Sequence, residues 1–581
     1  MKGKQLLVDF IKKHIRSYIA GILILIFTSF VNMIIPKILG YITDGLNSRN
    51  MPQDQIVRYV LLLFGVVVAA FGLKFIWRYL LIGNCRSVEI YLRGHLFKHM
   101  QTLPVNFYSN NKTGNLVAYA INDVQAVRMT FGFGSIQILD GLSASLISIY
   151  FMASTINPTL TLMALAPVPV AVFVMVMVGK LIRERFKKVQ EAFAAISDKV
   201  QENISGIRVI KAFAQEKEEV DNFLKYSKQR VDTQMNLTRI SALLGPCAQA
   251  CFGVSFLLFI VYGSGQVIKG VITLGDYVAF NSYMMAIMGP VMNISRIIDV
   301  LQRGIASYKR LNEIFDTPAG ILQSESEPDI SDIKGGLEIR NLNFSYPGAP
   351  RRALKGVNIK LEKGKTLGIL GKTGSGKTTL VNLLLRLYDV DDGRIFIDGS
   401  DINSIPVDLL RESIGYVPQD NFLFSTTIRN NIEFFRNLYS DFEIEEAAKI
   451  SGVYDNIVSF PDGFDTVVGE RGVMLSGGQK QRISIARALV KKPSLLILDD
   501  SLSAVDTKTE EEILTNIREH LKRRTGIIIS HRVSTVKFAD EIIVMDNGRI
   551  TERGSHEELM LLEGAYYSLF QAQNQQEVIS A

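Results

Sequence analysis

Gly371-Lys-Thr-Gly-Ser-Gly-Lys377-Thr378 decides the fold of the carboxyl-terminal half of this chain. It follows the strand-like run Thr366–Leu370 (TLGIL) and opens a helix-like TTLVNLLLRLY over 378–388, the setting that G-x-x-x-x-G-K-[ST] requires. Gly371, Gly374 and Gly376, with Thr373 and Ser375 between them, let backbone N–H groups close around phosphates at a helix start. Lys377 supplies a point charge for the outer phosphates. Thr378 offers a hydroxyl to Mg²⁺, and Thr379 extends the same turn.

Two further segments carry chemistry. Leu495–Asp500 (LLILDD) is an apolar strand ending in two acids, about 120 residues after the glycine loop. Its composition suits a strand covered on both faces. Asp499 can hold Mg²⁺, and Asp500 stands where a general base for an attacking water belongs. Leu475–Gln479 (LSGGQ) opens the helix-like KQRISIARAL. There Ser476, Gly477, Gly478 and Gln479 form a second anion-binding helix start. One nucleotide can use both grips only if two copies of such a domain face each other.

Upstream the composition changes. The 581 residues are 48% hydrophobic and 21% charged, and a mean hydropathy of +0.19 is high for a soluble protein. That content excludes disorder as the main state. Three cysteines, Cys85, Cys247 and Cys251, in no metal-ligand pattern exclude a disulfide scaffold. Tyr18–Ile35 runs 18 residues without a charge. Apolar stretches of membrane length predict six helices at about 18–35, 59–80, 135–156, 159–180, 240–268 and 277–296. The expected organisation is a helical membrane domain over 1–310, a linker over 311–336 rich in Pro, Gly, Ser and acids, and an α/β domain over 337–581. The α/β domain begins with the alternating LEIRNLNFSY and a turn at Pro347-Gly348.

Net charge is +7, and basic loops beside the spans account for it without a nucleic-acid partner. Lys2, Lys4, Lys12, Lys13 and Arg16 precede the first span, and the long loops 83–134 and 180–239 are rich in Lys and Arg. The turn at Asn157-Pro158 carries no charge. The amino terminus, both long loops and the α/β domain are therefore expected in the cytoplasm. Each long loop has room for two helical extensions and a short connecting helix, with tips expected at Ser109–Leu116 and Ala212–Glu216.

These motifs together resemble the nucleotide-binding domain of an ATP-binding cassette (ABC) transporter, and the six spans ahead of it make the whole chain resemble a half-transporter of the exporter type. The resemblance covers nearly the whole chain. It implies a head-to-tail pair of cassettes, each ATP held with Mg²⁺ between one glycine loop and the other chain's LSGGQ. It further implies that Tyr346 stacks on adenine and that Gln419, in YVPQDNFLFSTTIRNNI, reaches Mg²⁺. Glu470-Arg471 and Ser503–Asp506 match loops at the seam between cassettes, His531 in IIISHR matches the histidine at the γ-phosphate, and the two loop tips match coupling helices.

The pattern departs at one position. Fully hydrolytic members carry Glu after the Asp of the second phosphate motif, and this chain has Asp500. The resemblance therefore narrows to the degenerate-site subunit of a bacterial heterodimeric multidrug exporter, whose partner supplies the Glu. A homodimer that hydrolyses slowly, a lipid or lipid-linked flippase, and a non-transporting sensor stay open. Fused spans argue against a soluble DNA-repair ATPase. For the substrate, Met284, Met288 and Met292 fall on one face of the last span beside Gly289-Pro290, suiting either varied apolar ligands or helix packing. Lys74 and Arg78 share a face near the inner end of the second span, placed to snorkel to headgroups.

Overall fold

The computed structural model describes residues 3–48, 51–321, 332–469, 472, 474–502, 507–521 and 524–580. The chain forms two compact units, Met1–Gln101 with Asn111–Pro318 and Thr102–Asn110 with Ala319–Ala581.

Among the described residues of the first unit, six helices are long and apolar enough to cross a membrane: Ile15–Asn47, Gln53–Met100, Thr113–Ile156, Pro158–Ser205, Glu216–Ile268 and Leu274–Phe315. Their outward faces settle that they are not a soluble core, since Phe64, Phe71 and Val261 are 66%, 72% and 73% exposed. Bare apolar surface of that extent needs lipid. Each helix is longer than its apolar window because amphipathic extensions continue it. The connections are short helices, Val105–Asn110, which groups with the second unit, and Ile207–Ala212, each beginning several residues before the expected tip. Lys112 and Glu216, within the expected tips, instead lie at the starts of the returning helices.

Caps fix the turns. Asn157 Oδ1 accepts from Leu160 N at 2.9 Å, with Pro158 in the first turn. Thr273 and Asp276 form a capping box at the start of the last span. The first span breaks at Met33, ahead of Pro36, and the Tyr283 hydroxyl donates to the Met33 carbonyl at 2.9 Å. Gly275 packs so close to Gly40 that a Cβ would lie 2.1 Å from its carbonyl oxygen. Met284 is buried, and Met288 and Met292 pack with it among Phe280, Tyr283 and Phe259, so the methionine stripe is core. Pro290 sits inside an unbroken helix. That helix runs to Phe315, past the expected linker start, because Leu311, Ile314 and Phe315 repeat at helical spacing and are buried. Residues 322–331 of the expected linker lie outside the described residues.

Among its described residues the second unit holds two sheets. β1 (Leu337–Phe344), β2 (Leu354–Leu361), β4 (Ile395–Ile397) and β5 (Ser400–Asp401) form an antiparallel sheet in the order β2-β1-β4-β5. The other sheet runs β10-β9-β3-β8-β7-β6, from β3 (Thr366–Gly371), β6 (Ile414–Val417), β7 (Leu495–Asp499), β8 (Thr525–Ser530), β9 (Glu541–Asp546) and β10 (Arg549–Gly554). All its pairs are parallel except β9 with β10. β3, β7 and β8 are buried throughout, as expected for apolar strands covered on both faces. Because they run the same way side by side, their carboxyl ends open on one edge, where open α/β sheets bind ligands.

Candidate active site

The glycine loop leaves β3 at Gly371. Gly374 and Gly376 take φ of +83° and +105°, and a Cβ on Gly376 would lie 2.9 Å from the Ala353 carbonyl oxygen, so glycine is required there. Lys377 opens the helix Lys377–Leu384 and folds back, its Nζ donating to the carbonyls of Gly371 (2.7 Å) and Lys372 (3.0 Å). Burial lowers the pKa of its ammonium, against the attraction of Asp499 and Asp500. Ser375 is buried beneath the loop.

Asp499 ends β7 only 2% exposed. Thr378 stands beside its carboxylate in the same cleft, and among the described residues Oδ2 has no hydrogen-bond partner. Burial raises its pKa and the Asp500 charge adds to that, while the Thr378 hydroxyl and the Lys377 charge oppose it. A buried carboxylate oxygen left without a partner, beside a hydroxyl, is a hard-oxygen donor set that fits Mg²⁺. Gln419, in the loop after β6, contributes a side-chain amide to the same cleft.

Asp500 follows with φ of +49°, a left-handed conformation that Asp tolerates. Its N–H donates to the Ile529 carbonyl at 2.8 Å. Its carboxylate accepts from His531 Nδ1 at 2.8 Å and from Gln419 Nε2 at 3.5 Å. A carboxylate only accepts, so the Nδ1 of His531 carries the proton. From the helix Gly477–Leu489, buried Gln481 donates to the Asp500 carbonyl at 3.4 Å. The sequence gives no signal for that contact, whereas the resemblance already places Gln419, Asp500 and His531 around one nucleotide, without their direct hydrogen bonds.

A cleft of about 340 Å³ collects most of the expected residues: Tyr346, Thr373, Gly374, Gly376, Lys377, Thr378, Thr379, Gln419, Asp499, Asp500 and His531. The Tyr346 hydroxyl donates to Thr379 Oγ1 at 3.0 Å, and its ring meets Phe344 and Tyr388 edge-on. Those contacts hold the ring at the cleft wall. Gly371 and Ser375 shape the loop from beneath.

Ser476–Gln479 do not line this cleft. Ser476 caps the helix Gly477–Leu489, accepting from Gln479 N at 3.3 Å, while Gln479 Oε1 accepts from Ser476 N at 2.9 Å. The Gln479 side chain is thus committed to its own helix cap. Backbone N–H groups at Gly477 and Gly478 are left for an anion. Glu470, Arg471 and Ser503–Asp506 lie outside the described residues.

Residues 18–291 match the family model of the ABC transporter transmembrane region, and residues 354–503 match that of the ABC transporter. The chain is 38% identical over 564 residues to the probable multidrug resistance ABC transporter ATP-binding/permease protein YheI of Bacillus subtilis (strain 168), covering 97% of this chain and 96% of that one. It is 35% identical over 482 residues to the ATP-dependent lipid A-core flippase of Syntrophus aciditrophicus (strain SB), covering 83% and 80%. The solved structure of a bacterial Atm1-family ABC exporter with ATP bound matches with a TM-score of 0.79 at 25% identity, over 96% of this chain and 99% of that one.

Proposed function

The chain belongs to the ABC exporters that fuse a membrane domain to an ATPase domain, and from that premise we propose that it is the degenerate-site half of a heterodimer that moves amphiphilic drugs or lipids out across the cell membrane. The observation carrying this is Asp500, a carboxylate one methylene shorter than Glu and engaged by His531 and Gln419. From there it falls over 1 Å short of a water that a Glu would orient, by a typical C–C increment, and such misplacement costs about 10²-fold.

Each residue then has a role. Tyr346 stacks on adenine. Lys377 and the loop N–H groups, with Thr373 and Thr379 beside them, hold the phosphates of ATP. Thr378, Asp499 and Gln419 hold Mg²⁺, which neutralises phosphate charge, and His531 faces the γ-phosphate. Asp500 orients water poorly at this site. Ser476, Gly477 and Gly478 of this chain close over ATP bound by a partner chain, whose Glu performs hydrolysis. ATP favours the closed pair of cassettes because it contacts both chains only there. Closure turns the spans outward, and hydrolysis at the partner's site resets them. Basic loops support a cytoplasmic amino terminus and ATPase domain.

The test is co-purification with a second ABC half-transporter carrying that Glu, then ATPase and dye transport with the partner's Glu changed to Gln. Loss of both is expected; activity surviving the change overturns the division of labour. The similarity to a lipid A-core flippase favours a second reading, a homodimeric lipid flippase. ATPase stimulated by one lipid and by no drug, in a chain that pairs with itself, would support it instead.

A further inference from the structure

The helix Ala565–Ser580 reaches the histidine segment from behind. Gln573 on this helix spans the backbone on both sides of Arg532: its Nε2 donates to the His531 carbonyl at 2.8 Å, and its Oε1 accepts from Val533 N at 2.8 Å. Val533 begins the short helix Val533–Val536, so its N–H is a first-turn donor with no partner inside that helix. One amide thus satisfies both groups.

The helix bearing Gln573 is itself anchored. The Glu552 carboxylate accepts from Ala565 N and Tyr566 N, and buried Tyr566 bonds His556 Nδ1 through its hydroxyl at 2.7 Å. Leu569 and Phe570 pack on the core beside it. Tyr566, Leu569, Phe570 and Gln573 follow the i, i+3, i+4, i+7 spacing of a single helical face. On the other flank Glu510, 4% exposed, accepts from Arg532 Nη1 at 2.9 Å and from Thr535 Oγ1 at 2.7 Å. The backbone carrying His531 is therefore held from two sides while its ring reaches Asp500.

We propose that Gln573 is a positioning residue for His531, fixing the reach of its imidazole toward the terminal phosphate of ATP. The proposal rests on the reading of His531 as the γ-phosphate contact. ADP lacks that phosphate, so a positioning role alters the preference for ATP over ADP, whereas a packing role weakens both nucleotides alike.

The experiment uses the full chain in its purified assembly. Photolabelling of this polypeptide by 8-azido-ATP is competed by Mg-ATP or Mg-ADP added before irradiation, for the parent, Gln573→Leu, His531→Ala and the double variant. Gln573→Glu is a second route should the leucine variant fold poorly, because it keeps the acceptor for Val533 N–H and loses the donor to His531. The ATP-over-ADP preference is expected to fall about tenfold in each single variant, the worth of one charge-assisted hydrogen bond, with no further loss in the double variant. An unchanged preference in the Gln573 variants, or losses that add in the double variant, overturns the positioning role. An unchanged preference in His531→Ala overturns the histidine reading itself, and the positioning role with it.

Discussion

Changing Asp500 to Glu lengthens the carboxyl by one methylene at the end of a buried strand. The added reach, over 1 Å, restores the position that orients an attacking water, so turnover at this chain's own site should rise by up to about 10²-fold. That factor corresponds to about 2.7 kcal/mol of barrier. Against it stands the backbone: residue 500 sits at φ +49°, where Glu is less at ease than Asp by about 1 kcal/mol. The rate gain exceeds that strain, and the strain acts on stability rather than on the barrier. The carboxylate must also keep its bond from His531, now 2.8 Å, so His531→Ala in the Asp500→Glu background should remove most of the gain. The assay is steady-state phosphate release by the purified transporter with any partner Glu changed to Gln, so that only this chain's site turns over. Unchanged or lower turnover, with ATP binding intact, would refute the geometric argument.

Two further outcomes follow from the same cleft. Burial lowers the Lys377 pKa, and only the ammonium attracts phosphate, so ATP affinity should be full at neutral pH and fall as pH rises toward, and before, the usual lysine value of about 10.4. Titrating nucleotide binding between pH 8 and 10 checks this. Lys377→Arg keeps its charge and should flatten the fall, and an equal fall in both proteins contradicts it. Tyr346→Ala removes a ring held by Phe344, Tyr388 and Thr379. It should weaken ATP about tenfold, as loss of one base-stacking contact does, and leave inorganic triphosphate binding unchanged; equal loss for both ligands would count against stacking.

What the sequence makes legible here is local or long. The glycine loop sits within eight residues and carries its strand and helix with it, and six apolar runs of membrane length announce themselves by composition. Less legible were the ends of those helices. Leu311, Ile314 and Phe315 continue the last span through a stretch whose following Pro, Gly and acidic residues read as linker. The connecting helices begin several residues before the expected tips because helical turns resume at once in the charged segments. Ser476-Gly-Gly-Gln479 has the spacing of a capping box, and the structure uses Gln479 for that cap. The meeting of Gln419, Asp500 and His531 could not be read from spacing, because it depends on β6, β7 and β8 lying side by side. Gln573 touches the histidine segment from a helix with no motif at all.

The division of labour between two unlike ATP sites is tested most directly by the turnover number of this chain purified by itself and reconstituted in lipid. Slow phosphate release, rising sharply when a Glu-bearing half-transporter joins it, is the predicted result. Rapid hydrolysis by a self-paired chain with Asp500 intact would contradict it.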